Sequence, residues 1–432
     1  GESYRPYCDR MSEYQQGDFV ASFAEQPGLS YFWSRRGFQT PQERALGFAY
    51  TFLGVRIQCA ECHKHPFDQW TKDDFARFQN FFTRVRFGQA PDAKDEVASM
   101  LADLGVDPEL RGGDRSKAIA ELAKEGHSVP VSETFVVPPV KRPKPAKPAK
   151  DGKPRANDTV VSGRTATVLG GDEHVIDTLA DPRTVLMEWM LDDANPYFAR
   201  AIVNRVWASY FNVGIVEPPD DLSLANPPSN APLLDWLATE FRRQGYDLRW
   251  LHRTIVTSDT YQASWQTNDT NRLDARNFSR AVPRRVPAEV MLDAIRIATA
   301  SDTDAATMAA SATGRAVAES NIGWGNSARY ALEVFGRSSR VSNCDCDRSS
   351  EPSLLQTVFL RNDRDMLAQV SRKDGCVDSI ATPLEQEAKQ AARQTGKGKP
   401  QPDKRAAAIP PPPDIAAIVR TAYLRTLSRP PT

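Results

Sequence analysis

The chain has 432 residues, 40% hydrophobic, 25% charged and 9% aromatic, a composition that suits a globular protein of two or three domains. Its 55 Lys and Arg balance 55 Asp and Glu, so no global field marks a nucleic-acid partner or an anionic membrane surface. No apolar run approaches the roughly 20 residues that span a bilayer, which excludes a transmembrane segment of that kind.

Helical signals dominate from the start, and the expected fold is mainly α, with multi-helix globular domains and few short strands. Residues 1–127 form a first block. In it, Gln42 to Leu53 has helical apolar spacing and leads straight into Cys59-Ala60-Glu61-Cys62-His63. Thr71 caps the next helix, with Asp74 in a capping-box relation. Phe75, Phe78, Phe81 and Phe82 then share one face, which fits plain core better than a porphyrin wall.

Residues 128–158 are rich in Pro and Lys and read as an extended linker or long surface loop. The central block, 159–300, carries several helix signals. Asp181-Pro182 marks one start, and Asn195-Pro196 opens a helix to Phe211 with Phe198, Ile202, Val206 and Tyr210 on one stripe. Pro232 to Gln244 is stopped by Gly245, and Trp250–Tyr261 and Pro287–Ala300 follow. Residues 301–383 contain Cys344-Asp345-Cys346, residues 384–413 are polar and Pro-rich, and 414–432 carry a terminal helix.

C-x-x-C-H is the attachment signature of a c-type haem. Two thiols one helical turn apart add to the porphyrin vinyls, and the next histidine binds the iron. Cys59 and Cys62 are therefore the expected haem thiols and His63 the proximal ligand. A zinc knuckle or iron–sulfur site fits the same C-x-x-C, and so does an ordinary disulfide. His65 stands too close to His63 to reach the opposite haem face, and reads as a hydrogen-bonding neighbour or a capping residue. Asp68 either orients a metal-bound histidine or caps the helix after Trp70. Among sixth-ligand candidates, His252 in Trp-Leu-His-Arg sits on a rigid helix; His174, His127, Met187, Met190 and Met291 also qualify by type.

Cys344 and Cys346 are poor partners for each other, because a bridge there closes a strained ring. They pair outward with Cys8 and Cys376, or join Cys59 and Cys62 in a four-thiolate metal site that excludes haem. Asp220 and Asp221, with Glu217, read as an acidic loop, a cation site or an acid–base pair. Asn204 and Arg205 read as buried polar anchors that tie loops to the core. Arg337, Arg340 and Arg348 suit carboxylates, haem propionates among them. No Ser-His-Asp elbow and no phosphate-binding glycine loop is present.

The run Phe52 to Asp68 resembles the signature of the planctomycete cytochrome-like secreted domain. Asn195 to Trp207, Pro218 to Asp221, Asn226 to Ser229, Leu233 to Trp236, Trp250 to Arg253, Cys344 to Gln356 and Leu427 to Thr432 resemble its companion domain of unknown function. The resemblance covers most of the chain outside the two Pro-rich stretches and implies a secreted or periplasmic protein. Even cysteine numbers and haem attachment also fit an oxidising compartment, and an opening on Gly1 reads as a processed or trimmed chain. The leading expectation is thus a periplasmic or secreted haem c protein that exchanges electrons with a redox partner protein. The alternative is a zinc or other metalloprotein, a hydrolase or a structural cell-surface module, using the C-x-x-C-H and C-x-C sites or His63, His65 and Asp68.

Overall fold

A computed structural model describes residues 3–13, 38–66, 68–107, 109–139, 164–283, 285–310, 315–316, 326–337, 352–379, 381–382, 386, 390 and 415–431. The chain divides into two compact units, Gly1–Arg284 and Arg285–Thr432. The fold is mainly α, with two short antiparallel ribbons. Among the described residues no helix is long and apolar enough to cross a membrane.

In the first unit, α1 spans Tyr4–Glu13 and α2 spans Pro41–Phe48. Thr40 and Glu43 form a capping box at the start of α2, with Pro41 at the first turn where its missing N–H costs nothing. The helix then widens into a π-turn, Ala49–Leu53, which Gly54 ends in the left-handed region at φ 62°. α3, Lys72–Gln79, begins at Thr71 with the expected capping box to Asp74 and runs into a 3-10 turn, Asn80–Phe82. Phe75, Phe78, Phe81 and Phe82 are at most 3% exposed. Phe78 and Phe82 lie 6.1 and 5.7 Å from Phe48, so this aromatic stripe is core.

β1, Val85–Gly88, pairs with β2, Glu133–Val136, with Val85 opposite Val136. The strand β2 lies within the Pro/Lys-rich stretch; residues 140–163 are outside the described residues. Between these strands, α4 (Lys94–Asp103) and α5 (Gly112–Lys124) form a satellite core with α1 around Tyr4, Cys8, Val97 and Met100. A second ribbon joins β3, Thr165–Thr167, to β4, Glu173–Val175. Buried Arg84 ties the two ribbons by donating to the carbonyls of Val137, Ile176 and Leu179 at 2.8, 3.1 and 2.9 Å.

Helices α6 (Arg183–Leu191), α7 (Phe198–Phe211), α8 (Ala231–Arg243) and α9 (Leu248–Val256) complete the unit. Pro182 stands at the cap of α6 rather than inside it. The side chain of Asn195 accepts the N–H groups of Tyr197 and Phe198, so α7 starts two residues later than the Asn-Pro signal suggests. Its buried stripe is Ala199, Val203 and Trp207, not Phe198, Ile202, Val206 and Tyr210, which sit half-buried at its flank. The face toward α8 is offset from the one that the large residues mark, and it places Ala199 and Val203 beside Trp207. Gly245, at φ 65°, stops α8 as expected.

The second unit holds α10 (Ala288–Thr299), α11 (Asp302–Ala310), α12 (Asn326–Val334), α13 (Leu354–Asn362), α14 (Arg364–Val370) and α15 (Ile415–Leu427). Leu292, Leu332 and Phe359 centre its core. Arg425 on α15 reaches Asp302 at 2.6 Å, and Arg337 lies 3.8 Å from buried Glu289.

Truncating the centre of the aromatic cluster tests this account. Phe78→Ala should cost about 3–5 kcal/mol through lost burial and a residual cavity. Chemical denaturation of the first unit, followed by tryptophan fluorescence, reads the shift in midpoint.

Candidate functional site

The C-x-x-C-H motif sits on a turn held from three sides. After Gly54, Val55 and Ile57 enter the core fully, while Arg56 is half-buried and Gln58 is exposed. Gln58–Glu61 form a 3-10 turn anchored by fully buried Ala60. Cys59 and Cys62, on either side of that anchor, are both exposed thiols. The carbonyl of Cys59 accepts the N–H groups of Cys62 and His63 at 3.4 and 3.3 Å, winding the motif into a single turn.

His63 is exposed, and its Nδ1 lies 2.7 Å from the carbonyl of Lys64. A carbonyl only accepts, so Nδ1 is the donor, and the tautomer this contact selects leaves the lone pair on Nε2. His65 is buried, and its N–H donates to the carbonyl of Trp70 at 2.8 Å, closing the loop. Asp68 accepts the N–H of Gln69 at 2.7 Å within that loop, while Thr71 takes the helix-capping role.

The cysteine turn packs on α3, and the π-turn that precedes it rests on the helical region further along the chain. Arg205 of α7 bonds Asp220 at 2.6 Å and donates to the carbonyls of Tyr50 and Thr51 in the π-turn. The amide of Asn204 both donates to Val216 and Pro219 and accepts the N–H of Val216, which locks the 216–220 loop to α7. Gly54 accepts the N–H of Leu222 at 2.9 Å, and a Cβ added at Gly54 would stand 3.1 Å from the Ala201 side chain. The Tyr50 phenol is pushed up by burial; Arg56 opposes the rise, and Asp220, Cys59 and Asp221 add to it. Asp220, buried, is the charge partner of Arg205. Sequence spacing identified Asn204 and Arg205 as anchors; their targets, 154 residues away for Thr51, carry no local signal.

The remaining candidates lie elsewhere. His252 is exposed on α9, where it shares a 2.7 Å hydrogen bond with Tyr210. His174 on β4 faces a cleft lined also by Trp189 and Tyr197. Cys8 and Cys376 are buried thiols; burial pushes the Cys8 thiol up, and its sulfur accepts the N–H of Val131 at 3.4 Å. Cys344, Cys346, Arg340 and Arg348 lie outside the described residues. Among the described residues, no three His, Cys, Asp or Glu side chains gather in a way that could hold a metal ion; His63, His65 and Asp68 are not brought together.

The profile of PSD1, Protein of unknown function (DUF1553), matches residues 182–432. The chain belongs to the PSD1 family. A second profile, PSCyt2, Protein of unknown function (DUF1549), matches residues 16–87 and so includes the cysteine turn. No curated protein and no solved structure matches the chain. Arg205 thus comes from the PSD1 region and grips the PSCyt2 region at Tyr50 and Thr51, while Asn204 bonds Val216 and Pro219 within the PSD1 region itself.

Two expectations follow. In the unliganded native protein, Cys59 and Cys62 should alkylate rapidly with iodoacetamide while Cys8 reacts only on unfolding, as read by intact mass and peptide mapping. Arg205→Met should leave Asp220 without its charge partner and cost on the order of 3 kcal/mol. Hydrogen exchange of the 54–63 amides should accelerate more than that of α8 in this variant.

Proposed function

We propose that the protein is a c-type haem protein, with the group attached at Cys59 and Cys62 and ligated by His63, and that it exchanges electrons with a redox partner protein outside the cytoplasm. The observation that carries this reading is the state of the motif. Two exposed thiols flank one buried anchor on a single turn, and the neighbouring imidazole has Nδ1 tied to a backbone carbonyl. Metal-ligating histidines commonly use the second ring nitrogen in this way, which fixes tautomer and orientation and raises the basicity of the ligating nitrogen.

The donor set fits the group. Each thiol adds its S–H across a vinyl double bond to give a thioether, with no external oxidant consumed. His63 offers Nε2 to the iron, and haem held there supplies one-electron chemistry. Val55, Ile57 and Ala60 set the thiols outward, and the Arg205 contacts hold the preceding π-turn rigid. The exposed position of the turn leaves an edge that a partner protein can approach. A zinc site asks for different geometry: three or four donors converging within about 2.0–2.3 Å of one point.

The test is an ultraviolet–visible spectrum and intact mass of natively produced protein. A Soret band that survives acid–acetone extraction, plus a mass gain of one haem, is the expected result. Cys59→Ser with Cys62→Ser should abolish both signals, while His63→Ala should keep the thioethers and change the axial-ligand spectrum. A colourless protein of unmodified mass overturns the proposal, and stoichiometric zinc in that protein would favour the metal reading.

A further inference from the structure

Two clefts adjoin on the first unit, of about 580 and 180 Å³, sharing Gln69 and the 168–171 turn. The larger lies in the range of small-ligand sites, roughly 300–1,000 Å³. Its walls combine three kinds of group. Trp189 and Tyr197 supply aromatic rings, with centroids 6.2 Å apart, and Trp70 in the smaller cleft stands 6.4 Å from Tyr197. Asp172, Glu188 and Asp192 supply exposed carboxylates, with His174 beside them. Asn195 supplies a donor of known identity: its oxygen accepts from Tyr197 and Phe198 at 3.0 and 2.9 Å, so the opposite atom is the NH₂.

That Nδ2 is buried without a hydrogen-bond partner, and so is Nε1 of Trp70. The two residues are 5% and 3% exposed. Asn195 lines the larger cleft and Trp70 the smaller one that adjoins it, and an unpaired buried donor costs about 1–3 kcal/mol, a cost that an acceptor arriving with a ligand would relieve.

The combination discriminates between ligand classes. A cation would satisfy the carboxylates and rings but leave both donors unpaired. An anion would satisfy the donors but meet Asp172 and Glu188. An apolar ligand would leave every polar group desolvated. A hydroxyl both donates and accepts, so a neutral polyhydroxylated molecule meets carboxylates and N–H donors together, with its C–H face on an aromatic ring. We propose that this cleft is a binding site for a neutral carbohydrate, presented as a free oligosaccharide or as the end of a polysaccharide chain. Gly171 keeps the wall open: a Cβ there would meet Val168 at 2.5 Å and Trp189 Nε1 at 3.9 Å. The site is separate from the haem reading, and its occupancy is measured without reference to colour.

The experiment titrates the full chain with cellohexaose, xylohexaose and mannohexaose, and with a sulfated oligosaccharide, by calorimetry and tryptophan fluorescence. At least one neutral hexasaccharide should bind and keep its affinity in about 0.5 M salt, where exposed charge pairs are screened. Insoluble cellulose, xylan and mannan pull-downs separate chain-end binding from binding of the free sugar. Glu188→Gln and Asp172→Asn, both exposed and close to isosteric, should each weaken binding about tenfold. Trp189→Ala should weaken it further, with circular dichroism confirming the fold. Failure of every neutral sugar at about 10 mM overturns the proposal, since that limit leaves less than about 3 kcal/mol of binding. Affinity unchanged in both carboxylate variants overturns it too. Salt-sensitive binding of a lysine- or arginine-rich peptide, with no sugar bound, would assign the cleft to a cation instead.

Discussion

A single guanidinium, that of Arg205, organises the region on which the cysteine motif stands. A π-turn leaves backbone carbonyls at its end without intrahelical partners. Arg205 supplies donors to two of them, at Tyr50 and Thr51, while its Nε engages Asp220. The planar fork serves several acceptors at once, which a lysine ammonium could not do in the same geometry. The exit of the π-turn is thereby fixed, and with it the direction of the 54–57 run. Val55 and Ile57 then enter the core, and the turn that exposes the two thiols packs in its own right on α3.

The motif and the neighbouring cleft follow different physical logics. At the cysteine turn, reactive groups are displayed outward on a rigid base, and the one polar satisfaction that matters is the Nδ1 contact of His63 with a carbonyl. At the cleft, polar groups are gathered inward among aromatic rings, and two donors stay unpaired. The 65–70 loop belongs to both. His65 and Trp70 close it by a backbone hydrogen bond, and Gln69 between them lines both clefts. A displaced loop would therefore disturb the two places together.

Much of the helical framework was legible in the chain because its signals are local. The capping box at Thr71, the glycine stop at Gly245 and the helix beginning beside Pro287 all depend on residues within one turn of each other. The aromatic stripe of α3 was equally readable as core, since phenylalanines at helical spacing have little alternative. The interior face of α7 was not: its residues pack by fit against α8, and a small Ala199 wins over a large Phe198 on steric grounds alone. The π-turn escaped for a related reason, since its apolar pattern continues the helix while its geometry changes. The C-x-x-C-H motif announced its chemistry by spacing. The cleft announced nothing, because Gln69, Glu188, Trp189 and Asn195 converge only once the β3–β4 ribbon, the 65–70 loop and α6 have docked.

The PSCyt2 match ends at Phe87, in the middle of β1. A fragment cut there would end in a strand without its partner, its edge exposed and Arg84 stripped of the three carbonyls that receive it. Such a fragment would seek its missing strand in other chains and clump with them. The boundary of the PSCyt2 match is thus not a seam in the structure: the segment that carries the cysteine turn is closed by strand pairing and hydrogen bonds from residues beyond Phe87.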